Sequence, residues 1–201
     1  MPLKTLVKLG AVSNLSDARY AAGMGVDLIG FSIDEDDPHF IGFDSIIAIT
    51  SWLSGVKIVG ETKKFDIDKI NLAIETLGLD YVQLNGSFNF DKYPKINRPI
   101  IQKILCIDTN VLHLYAGKVA YLLFDNGEED FDLLSIKEQL KVFGTVYPII
   151  VSSGLTLANV NRIVTECEVT GIELKGGLEE KPGSKDFDDI AAFLEIIQEE
   201  E

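Results

Sequence analysis

Short apolar runs rich in β-branched residues recur along this chain, and between them the apolar positions thin out to every third or fourth residue. The runs are TLVKLG (5–10), LIGFSI (28–33), VKIVGE (56–61), YVQLNG (81–86), IIQKILCI (100–107), AYLLFD (120–125), YPIIVSS (147–153) and GIELKGG (171–177). Each is apolar through most of its length, as a strand covered on both faces requires, so the pattern predicts eight strands of a parallel sheet. Helical spacing is read in NLSDARYAAGMG (14–25), FDSIIAITSWL (43–53), DIDKINLAIETLG (66–78), TNVLHLYAG (109–117), DFDLLSIKEQLKVFG (130–144), TLANVNRIVTE (156–166) and DFDDIAAFLEIIQ (186–198), and weakly in NFDKY (89–93).

Strand and helix therefore alternate eight times. Asn14 or Ser16 is placed to cap the first helix, Thr156 the seventh and Asp186 the last, while Gly23 or Gly25 closes the first. GMGVDLI (23–29) and TLGLDYV (76–82) repeat one junction: a glycine ending a helix, then an aspartate, then a strand. Eight such units in 201 residues, with no Pro/Ser linker between them, predict a single-domain (β/α)8 barrel over residues 1–201 in preference to an open doubly wound sheet.

The net charge of -14, spread along the chain, makes nucleic acid and anionic membrane poor partners. No apolar stretch approaches the roughly 20 residues of a spanning helix. Without metal-ligand spacing around Cys106 and Cys167 or an N-terminal leader pattern, the expected setting is cytoplasmic with reduced thiols, as a monomer or homodimer. Neither G-x-G-x-x-G after the first strand nor G-x-x-x-x-G-K-[ST] occurs, so no cofactor is expected.

In a barrel, chemistry belongs to the loops that follow the strands. Ser152, Ser153 and Gly154 follow the seventh run, and Lys175, Gly176 and Gly177 follow the eighth. Glycine-rich loops let backbone N–H groups approach an anion and a helix start adds partial positive charge, so Ser153, Gly154, Lys175, Gly176 and Gly177 form a candidate phosphate cradle. The same glycines also serve simply to turn the chain. Asp125 ends the sixth run, where desolvation can raise its pKa and suit it to act as a general acid, although an aspartate at a strand end also serves as an ordinary helix cap or turn former.

Lys8 inside an apolar strand needs a carboxylate or a ligand. Gln83, Asn85 and Lys103 stand near strand ends, where they are candidates to orient a substrate or simply satisfy loop backbone, and His39 in the loop after the second strand is a candidate to meet a ligand. Asp34 and Glu61 read as solvated loop charges, and Glu173, following Ile172, as pointing out toward the helices. His113 reads as a surface residue, and Cys106, Cys167, Trp52 and the phenylalanines as packing.

Taken in order, the chain resembles the phosphoribosylanthranilate isomerase family of tryptophan biosynthesis. The family's K-[IV]-C-G start, N-x-E-D-A and G-A-D-x-x-G-F-x-F match KLGAVSNLSDARYAAGMGVDLIGFSI through Lys8, Asn14, Asp17, Ala18, Gly25, Asp27, Gly30 and Phe31. DPHFIG, VQLNG, LLFD, SGLTLANV and KGGLEEKPGSKD resemble its later segments. The resemblance implies a phosphosugar ligand and an Amadori rearrangement: an acid protonates the ribosylamine ring oxygen and a base removes the C2′ proton. It assigns the acid to Asp125.

It assigns the base to a cysteine whose place is taken here by Gly10. A substrate-contacting arginine becomes His39, a histidine becomes Asn85, and a glycine-rich loop after the sixth strand shortens to NGEED with Glu128, Glu129 and Asp130. These departures imply a barrel that binds a phosphorylated sugar-type molecule with isomerisation weakened, altered or lost. The alternatives are an active isomerase with Asp125 as acid, and a non-catalytic interaction protein with a vestigial site.

Overall fold

The computed structural model describes residues 2–86, 90–115, 117, 119–175 and 183–199. Eight parallel strands close in chain order: β1 (Leu6–Leu9), β2 (Leu28–Ser32), β3 (Lys57–Thr62), β4 (Tyr81–Leu84), β5 (Ile100–Ile104), β6 (Tyr121–Phe124), β7 (Ile149–Val151) and β8 (Gly171–Leu174). Because β1 pairs with both β2 and β8, no sheet edge is left to expose unpaired backbone groups, and the open-sheet alternative is excluded. Around the barrel stand α1 (Leu15–Gly23), α2 (Phe43–Thr50), α3 (Ile67–Leu77), α4 (Lys137–Gly144), α5 (Val160–Glu166) and α6 (Phe187–Ile196).

Alternation along each strand builds two cores. One parity packs against the helices, as Val7, Leu9, Ile29, Phe31, Val82 and Ile172 do. The other parity fills the lumen: Leu28, Val59, Ile101, Leu123 and Ile150 form their own cluster, with Leu6, Tyr81 and Tyr121 against it. Two residues further along several of these strands the lumen turns polar, at Lys8, Glu61, Gln83 and Lys103. An apolar plug thus closes the barrel below, and every charged side chain above it faces the mouth at the strands' C-terminal ends.

The repeated Gly-x-Asp junction has a structural role at the opposite end. Asp27 accepts a hydrogen bond from the Val7 N–H at 2.8 Å and Asp80 one from the Ile58 N–H at 2.9 Å. Each satisfies a backbone donor at the start of the preceding strand, which would otherwise be left unpaired.

Asn14 caps α1 by accepting from the Asp17 N–H, and Asp186 caps α6 through Asp188 and Asp189. Stacking of Tyr20 on Phe187 at 4.2 Å, with the Tyr20 hydroxyl donating to the Phe187 carbonyl, joins α1 to α6 across the closing seam.

Several expectations are corrected. Where helical spacing is read around NFDKY and TNVLHLYAG, Phe90–Lys95 and Thr109–Tyr115 form 3₁₀ helices rather than α-helices; Pro94 lies inside the first and lacks the N–H that an α-helical ladder needs. Thr156 does not cap a helix directly: its hydroxyl accepts from the Asn159 N–H within a turn, and α5 begins only at Val160. Trp52 is 70% exposed in the turn that follows α2, and Cys106 is exposed just past β5, so neither is a packing residue; Cys167 is buried as expected. No helix among the described residues is long and apolar enough to cross a membrane.

Candidate functional site

Lys8 and Glu173 are partners in the β1–β8 register, on the same lumen face, so their side chains meet. The Lys8 ammonium, fully buried, donates to Glu61 from β3 and to Glu173 from β8 at 2.5 Å. Burial pulls the lysine's pKa down, but the charges of Glu173 and Glu61 and their hydrogen bonds outweigh it and hold the ammonium above the ordinary lysine value. Sequence alone predicted a carboxylate or a ligand for Lys8, and two carboxylates meet it. It also predicted Glu61 in a solvated loop and Glu173 facing the helices. Both point into the lumen instead, because strand parity puts Glu61 on the same lumen face as Val59, and Glu173 on the same lumen face as Gly171 and Lys175.

Two glycines make room for this cluster. A Cβ on Gly10 would lie 2.9 Å from Glu173 Oε1 and 3.3 Å from both Glu61 Oε1 and Lys8 Nζ. A Cβ on Gly30 would lie 2.0 Å from Glu61 Oε1, closer than any side chain tolerates. Next to Gly10, Ala11 takes φ +50°, a left-handed conformation that a non-glycine residue rarely adopts, and its N–H donates to Glu61 Oε2 at 3.2 Å.

Across the mouth, Asp125 holds a second cluster. Its Oδ2 accepts from Lys103 Nζ at 2.7 Å; its Oδ1 accepts from the Ser153 hydroxyl, the Gly127 N–H at 3.1 Å and Lys175 Nζ at 3.3 Å. Burial pushes the carboxyl's pKa up. The hydrogen bonds from Lys103 and Ser153 and the charges of Lys175 and Lys103 outweigh it and hold Asp125 well below the usual carboxylate range. The expected upward shift by desolvation is therefore reversed, since the neighbouring strand and loop bring two lysines that no reading of LLFD alone contains.

Between the clusters opens a cleft of about 390 Å³ whose walls include Gly10, His39, Gln83, Asn85, Lys103, Asp125 and Lys175. His39, Gln83, Asn85, Lys103, Asp125 and Lys175, all candidate site residues from the sequence, thus share one space, with Lys8 beneath. Gln83 donates to the Asn85 side chain at 2.9 Å, while its own Oε1, in a residue 3% exposed, has no hydrogen-bond partner among the described residues. His39 Nδ1 lies 3.2 Å from Asp37.

Asp34, expected as a solvated charge, is buried and accepts from the Thr62 hydroxyl at 2.6 Å and the Lys63 N–H at 2.7 Å, tying the ends of β2 and β3 together. Five carboxylates and four lysines line the cleft, and Lys8 below makes the count equal. In a chain of net charge -14, the mouth is consequently a place where an anion meets no large repulsion.

Ser153 and Gly154 also border a second opening of about 430 Å³, together with Ser152, Lys175 and the three acids Glu128, Glu129 and Asp130. Gly154 is required by the backbone: φ is +72° and a Cβ would lie 2.0 Å from the Phe131 carbonyl oxygen. The Ser152 hydroxyl is buried without a partner among the described residues. The helix start expected to assist an anion here stands beyond the Thr156–Asn159 turn, and α5 is seven residues long. Gly176 and Gly177 lie outside the described residues.

Sequence reasoning missed Lys185 and undervalued Glu61 and Glu173. Lys185 is 7% exposed, lines the cleft and donates through Nζ to the Lys175 carbonyl at 2.7 Å. One available signal was parity, since a mouth-facing Lys175 requires Glu173, two residues earlier, to face the same way. Nothing local marks Lys185, which is placed by its N–H bond to Asp17 at 3.0 Å. Among the described residues no cluster of His, Cys, Asp or Glu is arranged to hold a metal ion.

Comparison with known proteins places this geometry. The chain is 26% identical over 211 residues to the N-(5′-phosphoribosyl)anthranilate isomerase of Maridesulfovibrio salexigens, covering 97% of this chain and 99% of that one. Its backbone is similar to that of phosphoribosyl anthranilate isomerase from Thermotoga maritima, with TM-score 0.84 at 21% identity over 96% of this chain and 98% of that one. A phosphoribosyl anthranilate isomerase in complex with reduced 1-(o-carboxyphenylamino)-1-deoxyribulose 5-phosphate has TM-score 0.80 at 23% identity, over 96% of this chain and 98% of that one. The family model described as N-(5′phosphoribosyl)anthranilate (PRA) isomerase matches residues 11–196, and the chain belongs to that family.

Proposed function

We propose that this barrel binds a phosphorylated sugar-type small molecule in its mouth and isomerises N-(5′-phosphoribosyl)anthranilate slowly. The phosphate is read onto Ser153, Gly154 and Lys175, with Gly176 and Gly177 of the same loop. One observation carries this reading: Ser153 and Lys175, from the loops after β7 and β8, converge with the Gly127 N–H on one anionic atom, Asp125 Oδ1. Donors gathered around an internal carboxylate are donors already oriented for an anion. The sugar then spans toward Gln83, whose unpartnered Oε1 accepts from a hydroxyl or an N–H.

Opening a ribosylamine ring breaks C1′–O4′ while O4′ takes a proton. Asp125 is the family-matched acid, and its anionic state in the free protein means that it must first collect a proton, at the cost of its hydrogen bonds from the two lysines. Gly10 offers no side-chain base, and Glu128, Glu129 and Asp130 put negative charge beside the phosphate loops. Each of these features slows turnover without removing the binding site.

Melting temperature measured with inorganic phosphate, and with the reduced product analogue, tests binding, because a ligand of the native state stabilises it by mass action. Upward shifts at millimolar concentration are expected, together with a kcat/KM below the ~10⁴ M⁻¹s⁻¹ at the low end of ordinary enzymes. Absence of a shift with both ligands overturns the binding reading. Rescue of a tryptophan auxotroph that lacks this isomerase, at the rate of an ordinary enzyme, overturns the slow one.

A further inference from the structure

We propose that the Glu61–Glu173 carboxylate pair, sharing the Lys8 ammonium, is the proton acceptor of this barrel. The proposal rests on the phosphosugar reading above and adds to it the group that carries turnover.

Position comes first. A side chain at Gly10 would point from the end of β1 into the mouth, and its Cβ would lie 2.9 Å from Glu173 Oε1 and 3.3 Å from Glu61 Oε1. Carboxylate oxygens thus already border the space that a base at position 10 would use. Both residues line the cleft that Asp125 faces from the far side.

Charge comes second. Two carboxylates share one fully buried ammonium, so the cluster carries a net charge of about −1 where water is scarce, and low dielectric makes that charge costly. Accepting one proton neutralises the cluster while leaving Lys8 paired.

The surroundings are built to keep the pair in place. Gly30 clears the space for Glu61, and Ala11 holds a left-handed backbone conformation while its N–H donates to Glu61 Oε2. Gln83, the register partner of Glu61 on β4, keeps an unpartnered acceptor beside it.

The step balances. In the ring-opened iminium, the C2′–H bond breaks and its proton passes to the pair. Its electrons form C1′=C2′, and the iminium π electrons return to nitrogen. C1′ then gains a proton as the C2′ hydroxyl loses one and becomes the ketone. The pair then releases its proton to solvent and Asp125 regains the one it gave to O4′, so substrate and product are isomers and nothing else is consumed.

The test is steady-state turnover of N-(5′-phosphoribosyl)anthranilate by the full chain and by Glu61→Gln and Glu173→Gln. Melting shifts with the reduced product analogue report folding and binding in parallel. In each amide variant kcat is expected to fall about 10²- to 10⁴-fold, the usual worth of a general base, with KM and the analogue-induced shift unchanged. If an amide variant fails to fold, Glu61→Asp keeps the charge, draws the carboxylate back by one methylene, and is expected to lower kcat at constant KM. Wild-type turnover no faster than the spontaneous reaction overturns the proposal. So do amide variants with wild-type kcat, or a loss that appears only in KM. If neither phosphate nor the analogue shifts the wild-type melting temperature, the binding reading itself fails and this proposal falls with it.

Discussion

Gly30 lacks the side chain whose Cβ would stand 2.0 Å from Glu61 Oε1, so the absence of an atom on β2 is what lets a carboxylate from β3 reach Lys8 on β1. The same relationship holds between Gly10 and Glu173 at 2.9 Å. These two pairs explain why a glycine can stand at the end of β1 in this family member: the volume is filled from neighbouring strands.

Gly10→Cys is therefore expected to restore no isomerase activity and to lower the melting temperature. The added Cβ must displace Glu173, and a thiol within the Lys8 cluster disturbs two ion pairs. Measuring kcat/KM beside the melting curve checks this; a rise of tenfold or more, about 1.4 kcal/mol of barrier, would show that only the thiol was missing.

Asp125→Asn should uncouple binding from turnover. Neutralising Asp125 releases Lys103 and Lys175 from their shared partner, so inorganic phosphate is expected to bind several-fold more tightly while turnover of the anthranilate substrate is lost. Calorimetric titration with phosphate, alongside the isomerase assay, tests both halves.

Acid sensitivity follows from the same residue. The folded-state pKa of Asp125 is depressed, so its contribution to stability is complete above the unfolded value of about 3.9 and is lost as pH falls below it toward the folded value. Melting temperature should decline below about pH 4, and Asp125→Asn should start lower at neutral pH but decline less steeply. Equal slopes in the two proteins would remove Asp125 from the acid limb.

Lys8→Met should be among the most damaging single changes. It leaves Glu61 and Glu173 facing each other in a buried site without their shared cation, and breaking a buried pair in this way costs ~3–5 kcal/mol. Denaturant unfolding measures the loss; a cost under about 1 kcal/mol would mean that the cluster is far wetter than its burial indicates.

Neutralising the loop after β6, as Glu128→Gln, Glu129→Gln and Asp130→Asn together, is expected to tighten anion binding at low salt. Part of that gain should disappear at physiological ionic strength, where the Debye length is about 8 Å. Phosphate titrations at two salt concentrations distinguish this from a change in loop shape, which salt would not reverse.

The barrel was legible in the chain because its cause is local and repeated. Eight apolar runs separated by helical spacing leave few ways to cover both faces of every strand. Where the pattern misled, around NFDKY and TNVLHLYAG, Phe90–Lys95 and Thr109–Tyr115 form 3₁₀ helices, the first with Pro94 removing a donor that an α-helix needs.

Sequence also determined which side chains are present at the strand ends and that Gly10 contributes none. Only the closed tertiary structure decided who meets whom. Closure sets β8 beside β1, so Glu173, 165 positions away in sequence, becomes a partner of Lys8; lumen parity turns Glu61 inward; and Lys103 on β5 converges with the loops after β7 and β8 on Asp125. Ionisation states depend on those distances, and so the charge on Asp125 was a property of the fold rather than of the segment that carries it.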